Sequence, residues 1–145
     1  MKHLLVALIS FSFFGCKEQL KETVKKSDAP LVFDMYEPSE MANLMNAMYA
    51  HNLEVKEQII KGELPAEFPL GFLRIHSAEL SDFKKRNATF ESFSELFIQA
   101  EREIYNTESN LEPKERFNNA VNVCISCHQT ECTGPIPRIK KLLIP

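Results

Sequence analysis

The chain is short of the residues that build most active sites. Its 145 residues hold four cysteines, four histidines and four glycines. The glycines are scattered singly, so no phosphate-cradling loop is present. Acidic side chains outnumber basic ones 20 to 17, for a net charge of −3, which leaves no basic field for nucleic acid. No hydrolytic constellation and no pair of carboxylates with a reason to share a site stands out, so an enzyme acting on an organic substrate is not expected. No convincing alternating strand appears either.

What is present is concentrated. Cys124-Ile125-Ser126-Cys127-His128 uses two of the four cysteines and one of the four histidines. Random placement of so few residues produces this C-x-x-C-H pattern only about 0.003 times in a chain of this composition. The pattern is that of a covalent haem c site. Two thiols add to two vinyl groups on one side of the porphyrin, and the adjacent imidazole becomes the proximal iron ligand. On a helix, Cys124 and His128 are i and i+4 and share a face, with Cys127 alongside.

Two other chemistries use the same residue types. Cys124, Cys127, His128 and Cys132 form a formally complete Cys₃His zinc set, although structural zinc usually pairs two knuckles. A thioredoxin-like redox pair wants its C-x-x-C at a strand-to-helix turn within a βαβ pattern, and no such pattern is visible.

The N-terminus reads as an export signal. Met1-Lys2-His3 is a basic start, and residues 4–14 form an apolar stretch of eleven, shorter than the roughly 20 residues that span a bilayer. It ends at Gly15-Cys16, which resembles the bacterial lipoprotein box, with Phe13 and Phe14 where that box has Leu and a small residue. Residues 1–15 are thus expected to be a signal peptide. Cys16 is the candidate lipidation site, and residues 16–37 a tether, polar and broken by Pro30. The expected location is outside the cytoplasm, where c-type haem is attached: the periplasm or the outer face, as a membrane-anchored lipoprotein. Ordinary cleavage with a free Cys16 is the alternative. Loss of Lys2 leaves 16 basic against 20 acidic side chains, a net of −4. Residues 38–145 then form the haem-binding domain.

Within that domain, periodicity predicts helices. One spans about 38–61, with Lys61-Gly62 as its stop and Met41, Leu44, Met45, Met48, Val55, Ile59 and Ile60 as its apolar stripe. A Met-rich stripe is ordinarily core. Beside a haem site, Met45 or Met48 becomes a candidate sixth iron ligand, with His51 as a bis-His alternative and an open sixth position as a third. A short amphipathic helix is expected over about 70–82. It carries His76, either an ordinary interior histidine or a propionate partner. A further helix over 88–106 has an aromatic face (Phe90, Phe93, Leu96, Phe97, Ala100, Ile104, Tyr105).

Pro113 opens the last long helix, on which Phe117, Val121, Cys124 and His128 fall on one stripe. The segment from Arg138 to Ile144 is basic and amphipathic. It either covers one end of the core, or offers a docking patch for an acidic redox partner or a propionate contact through Arg138.

Four helical segments with the motif on the last one resemble the class II cytochromes c, the cytochrome c′ family, over residues 38–132. Lys61-Gly62-Glu63-Leu64-Pro65 is similar to the K-G-E-x-P that follows the first helix in that family. The resemblance implies an all-α, antiparallel four-helix bundle with the first helix facing the far side of the iron. Counting back from K-G-E-x-P places the low-spin members' methionine ligand within a residue of Met45. Two departures stand out: Met41 where the family commonly has Arg, and Glu131-Cys132 where it has an aromatic-basic pair.

The resemblance implies single-electron transfer with membrane or periplasmic redox partners in the low-spin, His/Met branch. In the high-spin branch it implies binding of nitric oxide or another small gas at a vacant sixth position. Pairing through helices in the family is the one ground for a homodimer. A haem-free, zinc-stabilised interaction domain is the alternative from another class.

Overall fold

The computed structural model describes residues 37–81 and 84–145, all within one compact unit, Met35–Pro145. The expected signal peptide, the tether and the Cys16 site lie outside the described residues. Among the described residues the secondary structure is helical, with no strand. No helix among them is long and apolar enough to cross a membrane.

Helix α1, Glu40–Ile60, begins where Ser39 accepts a hydrogen bond from the Ala42 amide at 3.2 Å and has Glu40 in its first turn. Pro38 therefore precedes the cap instead of occupying the first turn. The helix stops at Lys61-Gly62, where Gly62 takes φ +79, a backbone state that costs glycine little.

The chain then returns along α1. The Met41 amide donates to the Glu79 carbonyl at 2.9 Å, and the Glu79 amide donates to the Glu40 carboxylate at 3.0 Å. Residues 79–81 thus lie at the start of α1, and two otherwise orphaned amides are satisfied.

The returning strand of chain carries a 3₁₀ helix, Leu70–His76, where an α-helix over 70–82 was expected. Its buried residues explain the difference. Phe72, Ile75 and Ala78 recur every three residues, which suits three residues per turn. Arg86 closes its end by donating to the carbonyls of Ile75 at 3.0 Å and Ala78 at 2.7 Å. The same periodicity turns His76 outward, so it is exposed rather than interior, with Nδ1 3.2 Å from the Ser94 hydroxyl.

Helix α2, Ala88–Ile104, is capped by Asn87, which accepts from the Phe90 amide at 2.7 Å. Helix α3, Pro113–Glu131, starts with proline at N1. At the junction the buried Arg116 donates from Nη1 to the carbonyls of Glu103 (3.2 Å), Ile104 (3.1 Å) and Asn106 (2.5 Å). Of the three, the Ile104 carbonyl has no backbone donor among the described residues, as expected where a helix ends, whereas the Glu103 and Asn106 carbonyls also accept from the amides of Asn106 (3.2 Å) and Ser109 (3.3 Å).

Two apolar clusters fix the helix directions. Met41, Leu44 and Met48 of α1 pack with Phe90, Phe97 and Ile98 of α2. Val55 packs with Ile104 and with Phe117, Ala120 and Val121 of α3. Helices α1 and α2 therefore run the same way and α3 runs against both, so that Cys124, further along α3, touches both clusters.

After α3 come α4, Ile136–Ile139, and a 3₁₀ turn, Lys140–Leu142. Ile139, Leu142 and Ile144 are buried in the second cluster, so this tail covers one end of the core. It is pinned by Lys56, which donates to the carbonyls of Lys141 at 2.8 Å and Leu143 at 3.0 Å.

The expected stripes hold with local exceptions. Ile60 is 54% exposed and Leu96 50%, while Asn52 and Glu101 occupy buried positions on α1 and α2.

Candidate functional site

The α3 stripe continues from the fully buried Phe117 and Val121 to half-buried Cys124, Cys127 and His128. These three residues open onto a cavity of about 340 Å³ between the helices, within the ~300–1,000 Å³ typical of small-molecule and cofactor sites. Its far wall is α1, with Met41, Met45 and Met48, and α2 contributes Phe90, Phe93 and Phe97. The motif and the methionines, some 80 positions apart in the sequence, thus face one mostly apolar space.

His128 is oriented by its own helix end. Its Nδ1 lies 2.8 Å from the carbonyl oxygen of Cys132. A carbonyl only accepts, so Nδ1 carries a proton, and it is Nε2 that offers a lone pair whenever the ring is neutral. An imidazole whose second nitrogen is held by a backbone carbonyl is the usual state of a metal-ligating histidine.

The two motif thiols are held in the neutral form. Burial pushes the Cys124 thiol up, with smaller contributions from Glu101 and Cys127. Burial, followed by Glu131, pushes Cys127 up to about 11. A thiolate is what attacks a disulfide, so thioredoxin-like exchange is not favoured here. Among the described residues, moreover, no three His, Cys, Asp or Glu side chains gather as a metal-holding group. The Cys₃His set is therefore not assembled, and Cys132 stands exposed.

The candidate sixth ligands separate. Met45, half-buried, and Met48, buried, both line the cavity. His51 does not. Its Nε2 shares a 2.8 Å hydrogen bond with the Tyr105 hydroxyl, and its ring packs edge-on against Phe72 at 5.4 Å. Burial lowers its affinity for a proton, partly offset by Glu54.

Sequence reasoning passed over a buried polar pair at the cavity wall, where Asn52 is a lining residue. Asn52 Nδ2 donates to Glu101 Oε1 at 2.7 Å, while Asn52 Oδ1 and Glu101 Oε2 have no partner. Burial raises the Glu101 carboxyl to about 7, against a lowering by Asn52. A signal existed: Asn52 sits four after Met48 and three before Val55, and Glu101 four after Phe97 and three before Ile104, both squarely on apolar stripes.

No family model, no curated protein and no solved structure matches this chain.

Proposed function

We propose that this protein is a c-type cytochrome that carries single electrons on one covalent haem. On this proposal the domain is a class II-like four-helix bundle whose second helix is reduced to the 3₁₀ turn Leu70–His76. The observation that carries it is the state of His128, with Nδ1 committed to the Cys132 carbonyl and Nε2 free, on the same cavity as two neutral thiols and two methionines.

The residues fit the group. Cys124 and Cys127 would hold it through thioether bonds, each S–H adding across a vinyl group so that sulfur bonds carbon and the hydrogen goes to the neighbouring carbon. His128 Nε2 would be the proximal ligand and Met45 the distal one, with Met48 the alternative one turn along. Haem, when bound, supplies a one-electron iron couple whose potential a thioether ligand raises.

The chain's own work is exclusion and rigidity. Phe90, Phe93 and Phe97 keep water from the cavity, and helix packing around it limits rearrangement when charge changes. After export and removal of the signal peptide, lipidated Cys16 would hold this carrier at the outer face of a membrane, within reach of membrane-bound and periplasmic redox partners.

The reduced-minus-oxidised visible spectrum tests the proposal. Low-spin bands with a thioether-to-iron absorption at the red end support the electron carrier. High-spin bands with rapid gas binding would instead support the five-coordinate, nitric-oxide-binding function. A colourless, zinc-containing protein would leave the haem-free interaction domain.

A further inference from the structure

An apolar cavity that accepts a charged molecule needs a countercharge, because an ionised carboxylate is costly to bring against apolar walls unless it is paired. One side chain at this cavity is already fixed for that task. The guanidinium of Arg138 lies 3.9 Å from the centroid of the Tyr49 ring, and its Nη1 donates to Asn46 Oδ1 at 2.7 Å. Tyr49 and Asn46 both belong to α1, four and one residues after Met45, and all three side chains line the cavity. Among the described residues no carboxylate pairs with Arg138 and no second acceptor takes its other donors.

The other charged groups at the wall differ: Lys85 also lines it, but an ammonium is a point charge without a planar fork. Lys84 gives its ammonium to the Glu131 carbonyl oxygen, and the Glu131 side chain is an acid, not a countercharge for an anion. Arg138 is therefore a preorganised fork with an open edge, the geometry that receives a carboxylate on two donors. The aromatic platform keeps the fork in place at little further entropy cost.

We propose that Arg138, supplied by the C-terminal segment beyond the haem motif, is the positioning residue for an anionic side group of the cavity's occupant. On the haem proposal, on which this rests, that group is a propionate. The C-terminal segment thus completes the site as well as covering the core.

The alternative role for Arg138 is a plain staple between the tail and α1. Full-length protein matured with haem, as wild type, Arg138→Gln and Arg138→Lys, separates the two when the midpoint potential, which reads the charge, is combined with the unfolding of apo- and holoprotein, which reads the contact. Loss of a positive charge near the iron favours the oxidised form. Arg138→Gln is expected to raise the oxidised-to-reduced ratio at fixed potential about tenfold, a fall of about 59 mV for one electron. Arg138→Lys, which keeps the charge, should stay within about threefold of wild type.

A ratio within about twofold of wild type in Arg138→Gln overturns the assignment, as does an equal shift in both variants. Colourless wild-type protein overturns the haem proposal itself, an outcome distinct from either. Thermal unfolding of apo- and holoprotein supplies the second readout: a staple costs both forms equally, whereas a propionate partner costs the holoprotein more.

Discussion

The ring of His128 is tied to the carbonyl of Cys132 across 2.8 Å, where α3 ends at Glu131. Cys132 leaves the helix with φ −161 and ψ 91, and its amide donates back to the His128 carbonyl at 3.2 Å. Each residue therefore holds the other. The helix terminus fixes the imidazole tautomer, and the imidazole satisfies a carbonyl that the terminus would leave exposed.

The methionines make the sharpest spectral prediction. Met45→Ala should convert a low-spin oxidised protein to high-spin while leaving it folded. Met48→Ala, at a site only 5% exposed, should keep the low-spin spectrum and cost about 2–5 kcal/mol in urea unfolding. A low-spin spectrum lost in Met48→Ala and kept in Met45→Ala would move the ligand by one turn.

Glu101 predicts a pH dependence. Burial holds its carboxyl at about 7 against an ordinary 4.5, so the folded protein keeps a proton that the unfolded chain releases. Stability should consequently fall as pH rises from about 4.5 to 7, by on the order of 3 kcal/mol, with no further loss from this group above that window. Denaturation at pH 5 and pH 8 measures it. Glu101→Gln should flatten the difference, and an unchanged difference in that variant would refute the assignment.

Arg116 predicts a mechanical cost. It serves three α2-end carbonyls through one nitrogen while 5% exposed. Arg116→Met keeps the apolar stem but leaves the buried Ile104 carbonyl unpaired and takes one donor from the Glu103 and Asn106 carbonyls. It should lower the unfolding free energy by about 3 kcal/mol with an unchanged denaturant slope. A loss below about 1 kcal/mol would mean that water replaces the guanidinium at that junction.

Much of this architecture was legible in the sequence because it depends on local signals. Gly62, Pro113 and the three-and-four spacings set helix ends and faces to within a few residues, and the Phe117–His128 stripe alone puts the motif on the core side. Other features depend on contacts that one sequence does not display. The 3₁₀ turn arises because Phe72, Ile75 and Ala78 need a common face over a short return path, and that shift in period carried His76 outward. Asn52 and Glu101 each mark a polar site on an apolar stripe, but their partnership across 49 positions appears only when α1 and α2 lie side by side. The same holds for His51, whose commitment to Tyr105 separates it from the iron-ligand candidates.

The central claim is a thioether bond between this chain and haem, and the most direct measurement is the haem signal of mature protein after complete unfolding. Protein produced alongside a haem-attachment apparatus should keep its haem through denaturing electrophoresis, and the Cys124→Ala/Cys127→Ala double variant should lose it. Wild-type protein that is colourless, or that sheds its colour on unfolding, would contradict the account.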